Sequence, residues 1–157
     1  MTGSHEPDRE LRAETTIRAT PAQVWATLTD LARMPEWSPE LVKMVPLKGG
    51  GLREGQWYAG INRRKYVVWP TRNVVVAVEP ERSLVWDTRT SGARWVFELE
   101  QDGDATRVVH RRPVPKALTL SSRLVASLAL GGIPEHADEL EAGMATTLDR
   151  LKAAVEG

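Results

Sequence analysis

Between residues 41 and 112 the chain runs through six short segments of strand-like patterning, each separated from the next by a turn. Leu41 to Pro46, Gln56 to Asn62, Tyr66 to Val78, Ser83 to Arg89, Ala93 to Glu100 and Thr106 to Arg112 are the segments. Gly49-Gly50-Gly51, Glu79-Pro80-Glu81-Arg82 and Gln101-Asp102-Gly103-Asp104 supply turn chemistry between them. The clearest period is in the fifth, where Ala93, Trp95, Phe97 and Leu99 alternate with Arg94, Glu98 and Glu100. Strands joined by short turns pair antiparallel with their neighbours, so this region reads as a meander.

What flanks the meander sets the fold class. Residues 1–9 are polar and contain Gly and Pro, and are expected to form a flexible leader to one domain spanning 10–157. Leu11, Ala13, Thr15 and Ile17 then form one face of a further strand. Thr20 and Gln23 have capping-box spacing around Pro21, and Val24, Leu28 and Leu31 follow at helical intervals until Pro35. Glu36-Trp37-Ser38-Pro39 adds a second short turn. After the meander, Leu118 to Leu130 is apolar and ends at Gly131-Gly132. Pro134 opens a long helix with one stripe of Ala137, Leu140, Met144, Leu148, Leu151 and Val155. The order is strand, two short helices, six strands and a long helix: an α+β layout. A curved antiparallel sheet has one concave apolar face, and a single covering helix leaves an internal cavity beneath it.

Composition removes several classes of function. Lys plus Arg equals Asp plus Glu at 21 each, so no global field draws in nucleic acid or acidic membranes. The run Arg63-Arg64-Lys65 reads as the solvated tip of a strand turn. There is no cysteine, which excludes disulfides, thiolate metal sites and a cysteine nucleophile. His5, His110 and His136 are far apart and form no HExxH pair, so neither metal nor cofactor is expected. No Ser–His–Asp order and no glycine-rich phosphate loop occurs. No apolar run follows the start, and Leu124 to Pro134 is too short to span a bilayer, so a cytoplasmic location is expected.

A family resemblance rests on Thr20-Pro21-Ala22-Gln23-Val24-Trp25, Asp30, Pro35-Glu36-Trp37-Ser38-Pro39, Asn62-Arg63-Arg64, Val76-Ala77-Val78-Glu79-Pro80 and Thr106-Arg107-Val108. Leu130-Gly131-Gly132 and the stretch from His136 to Met144 fit one bacterial branch. In their order and spacing these motifs resemble the START-like (SRPBCC) superfamily, in particular bacterial polyketide cyclase/dehydrase and lipid-transport-like proteins, over roughly residues 10 to 155. The resemblance implies a helix-grip fold: a curved antiparallel sheet of about seven strands around the C-terminal helix, with a ligand cavity between them. It implies no single function, because similar members include aromatic cyclases, lipid carriers and hormone receptors.

The candidate site residues follow from strand parity. Six tryptophans accompany only two tyrosines and one phenylalanine. Trp37, Trp57, Trp69, Trp86 and Trp95 either line a pocket or pack in the core and on the outer face. Trp95 shares its face with Phe97, Trp86 shares parity with Leu84, and Trp69 lies in a strand that is apolar on both faces. His110 shares parity with Thr106 and Val108. It can exchange a proton with a ligand, or sit as a satisfied core histidine. Arg72 shares parity with Val74 and Val76, and either binds a polar ligand group or pairs with an acid or reaches solvent. Met144 joins the lining from the last helix. Leu124 and Leu128 belong to an apolar segment that reads either as a lid, making transient membrane or partner contact, or as ordinary packing or a dimer contact. The expectation is a monomer or homodimer that binds a hydrophobic small molecule such as a lipid or polyketide-like compound. The rivals are a cyclase/dehydratase that uses His110 or Arg72, and an interaction module that uses residues 118–130.

Overall fold

The structure, a computed structural model, describes residues 10–113 and 137–157. The expected leader, the 118–130 segment with Leu124 and Leu128, and His5 and His136 lie outside the described residues. Strand β1 (Leu11–Ile17) leads into helix α1 (Pro21–Leu28) and a 3-10 helix (Leu31–Glu36). Strands β2 (Leu41–Pro46), β3 (Trp57–Arg64), β4 (Val67–Glu79), β5 (Ser83–Thr88), β6 (Ala93–Asp102) and β7 (Ala105–Arg112) follow, and α2 (Ala137–Glu156) ends the chain.

The capping box forms as the sequence predicts. Thr20 Oγ1 accepts from the Gln23 amide at 3.2 Å, and Gln23 Oε1 accepts from the Thr20 amide at 2.9 Å. Two otherwise orphaned donors are thereby satisfied, worth about 1 kcal/mol for the cap. The fixed start directs Val24 and Leu28 inward, and both are buried.

All seven strands form one antiparallel sheet in the order β1-β7-β6-β5-β4-β3-β2. The meander therefore places β1 and β2, neighbours in sequence, at opposite edges. Residues 21–36 carry the chain between those edges, with α1 against β6 and β7 and the 3-10 helix against β2. The apolar stripe of α2 is buried at Met144, Leu148 and Leu151, and it shares a core with Ile17, Val24, Leu28, Phe97 and Val108. This is the curved open sheet with a covering helix that the sequence leads one to expect.

Helix α2 also seals the free edge of β1. The Arg12 and Arg18 amides donate to the Glu141 and Glu156 carboxylates at 3.0 Å and 2.7 Å. Lys152 Nζ donates to the Thr16 carbonyl at 2.6 Å. Side chains thus take the place of a further strand along the outer backbone groups of β1.

One parity expectation fails on β4. Asn73 and Val75 are buried and Arg72 is exposed, so the inward face takes the odd positions. A bulge between Val75 and Ala77 then shifts the phase and turns Val78 toward the core. Arg72 therefore lies on the outer face, not among inward residues. Trp57 is also on the outer face, because Tyr58 and Gly60 of the same strand are the buried positions.

Candidate ligand cavity

Between the concave face of the sheet and α2 lies a cavity of about 260 Å³. One wall is aromatic and is built by pairing across three neighbouring strands. Trp86 faces Trp95 and Phe97 faces His110 in register, so the inward side chains of β5, β6 and β7 form a patch. Phe97 and His110 stack with centroids 3.9 Å apart and planes at 8°. Trp86 stacks on Phe97 at 5.6 Å, and Trp95 stacks on His110 at 5.7 Å. Trp37 from the end of the 3-10 helix, Trp69 from β4 and Met144 from α2 complete the apolar lining. The Arg33 guanidinium lies over the Trp37 ring at 5.9 Å. The buried Trp37 indole N–H has no acceptor among the described residues.

His110 is the titratable group held in this wall. Its Nδ1 lies 3.0 Å from the Val96 carbonyl. A carbonyl only accepts, so Nδ1 carries the hydrogen and Nε2 of the neutral ring keeps its lone pair. Burial pushes the histidine pKa down to about 4, and the Val96 bond opposes this only in part. The imidazole is therefore neutral near pH 7, and Nε2 is an acceptor with no protein partner among the described residues.

The part of the same sheet face beside it, on β3, β4 and the end of β5, is polar, and strand parity did not single it out. Thr88 Oγ1 donates to Asn73 Oδ1 at 2.7 Å. Asn73 Nδ2 reaches the Tyr58 carbonyl at 3.4 Å and Thr71 Oγ1 at 3.3 Å. Asn62 Nδ2 also donates to Thr71 Oγ1, at 3.3 Å. These four side chains come from three strands, and all face the cavity. Gly60 makes room for them, since a Cβ there would stand 2.6 Å from Thr71 Oγ1. The available signal was an amide at Asn73, next to Thr71-Arg72 and directly before the apolar run Val74 to Val78.

At the rim, Arg64 Nη2 donates to Glu139 Oε2 at 2.7 Å, and its Nε lies 3.7 Å from Glu40 Oε2. This ties the end of β3 to the first turn of α2 beside the cavity residues Glu40 and Glu139. A second hollow of about 470 Å³ lies outside this cavity and is walled mainly by charged side chains. Several of them already pair, Arg107 with Glu14 and Glu100 among them.

Of the sequence candidates, the cavity wall brings together Trp37, Trp69, Trp86, Trp95, Phe97, His110 and Met144. It does not include Trp57 or Arg72. Leu124 and Leu128 are not among the described residues.

The family model described as polyketide cyclase/dehydrase and lipid transport matches residues 8–156. No curated protein sequence matches the chain. Among solved structures, a protein of Nitrosomonas europaea superposes with a TM-score of 0.70 at 16% identity, covering 96% of each chain. The Zhui aromatase/cyclase from a Streptomyces species gives 0.65 at 17% identity, covering 94% of this chain and 93% of that one. The Aha1 dimer from Colwellia psychrerythraea gives 0.60 at 16% identity, covering 94% and 96%. At these identities the likeness is one of fold. No helix among the described residues is long and apolar enough to cross a membrane.

Proposed function

We propose that this chain, which belongs to the polyketide cyclase/dehydrase and lipid transport family, holds a hydrophobic, ring-containing small molecule that carries hydroxyl or carbonyl groups. The observation that carries the reading is the division of one cavity between an aromatic wall and a polar wall. Stacked rings favour a flat apolar body, whereas the Asn62–Thr71–Asn73–Thr88 row favours oxygen atoms along one side of it. A plain acyl chain would leave that polar row facing hydrocarbon, at a cost for each unsatisfied group. The neutral His110 favours a hydroxyl donor over an anion, because Nε2 offers a lone pair and no charge.

Native mass spectrometry of the purified protein tests for a co-purified molecule, whose adduct should vanish on denaturation. A matched pair of probes tests the chemistry. 2-Naphthol should quench tryptophan fluorescence at roughly tenfold lower concentration than 2-methylnaphthalene, since one hydrogen bond to an acceptor in the cavity wall is worth about 1 kcal/mol or more. His110→Phe should narrow that gap. Equal affinity of the two probes in the unmodified protein would rule out the hydrogen-bonding part of the reading.

A second reading is supported by the same histidine. A neutral imidazole nitrogen without a protein partner among the described residues would serve as a proton acceptor in cyclisation or dehydration, in which the aromatic wall would hold the substrate folded. Turnover that disappears in His110→Phe while probe binding persists would favour this enzyme over a carrier.

A further inference from the structure

The chain is neutral overall, yet its charge is strongly divided. Residues 41–79, which hold β2, β3 and β4, contain seven cations (Lys43, Lys48, Arg53, Arg63, Arg64, Lys65 and Arg72) against two carboxylates, Glu54 and Glu79. Among the described residues, the large apolar side chains that stand exposed are Val42, Val45, Leu47, Ile61, Tyr66 and Val68, and all lie in the same three-strand wing. Basic and exposed apolar surface therefore coincide.

Register shows how the two are interleaved on the outer face. Lys43, Ile61 and Pro70 form one row across β2, β3 and β4, and Val45, Ala59 and Arg72 form another. Arg63 stands opposite Val68, and the hairpin closes through Lys65 and Tyr66, the latter 98% exposed. Elsewhere on the sheet several arginines are neutralised: Arg94 by Asp87, Arg107 by Glu14, and Arg111 by Glu98 and Glu10. On the wing, Lys43, Lys48, Arg63, Lys65 and Arg72 have no carboxylate partner among the described residues.

We propose that this outer face and its hairpin tip dock on an anionic lipid surface, with Tyr66 and Val68 entering the headgroup layer and Lys43, Arg63, Lys65 and Arg72 meeting lipid phosphates. Aliphatic side chains have no counterpart on a nucleic-acid backbone, whereas a headgroup layer takes both components. A second copy is disfavoured because a two-fold contact would set these unpaired cations against themselves. A protruding tip suits a deformable surface that it can enter, while a rigid acidic protein would need a hollow to receive it. Asn62 and Trp69 of the same hairpin line the cavity, so docking would bring the cavity rim to the lipid. The proposal stands apart from the ligand reading and holds or fails without it.

The test is co-sedimentation of the full chain with sucrose-loaded vesicles of phosphatidylcholine, with and without phosphatidylglycerol. Binding is expected on the anionic vesicles, weak on the neutral ones, and lower as salt is raised. Each removed cation should lower the partition coefficient by about fivefold, read with Lys65→Gln and Arg63→Gln singly and together. Tyr66→Ser with Val68→Ser should reduce binding even at low salt. These side chains are exposed, so thermal melts should match the parent protein and separate lost docking from lost folding. No sedimentation with anionic vesicles at low salt would overturn the proposal, as would indifference to the substitutions. Light scattering in which Tyr66→Ser converts a dimer to a monomer would assign the patch to a second copy instead. Binding of DNA or polyglutamate, with vesicles left unbound, would assign it to another class of partner.

Discussion

The imidazole of His110 lies flat on the ring of Phe97, with 3.9 Å between centroids and 8° between planes. Burial in the cavity wall strips solvation that a cation needs, and takes the histidine pKa down to about 4. The unfolded chain, with an ordinary histidine near 6.5, therefore binds this proton more tightly than the fold does. Stability from the neutral ring is complete above about pH 6.5 and falls away as pH drops toward 4, by about 3 kcal/mol in total. Urea midpoints followed across that range should show this slope, and His110→Phe should flatten it. The exposed carboxylates of Glu14, Glu36 and Glu156 are held below the usual range by Arg107, Arg33, and the Arg18 amide with Lys152. Their loss at low pH is common to both proteins and cancels in the difference.

Gly60 is a packing requirement of the polar wall. An added Cβ would press on Thr71 Oγ1, which accepts from both Asn62 and Asn73. Gly60→Ala is expected to cost about 1–3 kcal/mol in denaturant unfolding. Thr71→Ala on the same background should recover part of that loss, and additive costs would place the strain elsewhere.

Thr88 supplies the shortest bond of the buried network, 2.7 Å to Asn73 Oδ1. Thr88→Val keeps the shape and removes the donor, leaving that amide oxygen short of a partner at about 1–3 kcal/mol. The affinity for 2-naphthol should change more than that for 2-methylnaphthalene. Equal changes for both probes would mean that the row shapes the cavity without contacting oxygen.

The Arg64–Glu139 pair spans the rim and is exposed at both ends. Exposed pairs contribute at most about 1 kcal/mol, so Glu139→Gln should leave the thermal midpoint almost unmoved. Stopped-flow release of bound 2-naphthol should nevertheless quicken several-fold, as should release from the unaltered protein at high salt. Unchanged release rates would mean that the pair does not restrain the rim.

The fold was legible wherever alternation was clean or a cap was explicit. Thr20-Pro21-Ala22-Gln23 gives the helix start outright, and β6 and β7 carry Trp95, Phe97 and His110 inward as their parity requires. Parity failed on β4, where Val74 to Val78 is apolar on both faces and a bulge moves the phase partway along. Parity therefore leaves Arg72 open between a ligand-binding and a solvent-facing place, and Asn73 goes unnoticed. The polar wall was unreadable for a further reason. Asn62, Thr71, Asn73 and Thr88 meet only through the register of β3, β4 and β5, and pairing register is not written in any one strand.

The carboxylates of Glu141 and Glu156 that occupy the outer backbone of β1 also limit how copies of this chain can join. Sheet-to-sheet polymers need units with two open edges, one to accept and one to extend. Among the described residues β1 is closed in this way and β2 pairs only with β3, so the sheet they form is monofunctional in the polymer chemist's sense. Edge pairing through β2 can join two molecules and then terminates. A fibril built from the folded chain would first have to pull α2 away from β1.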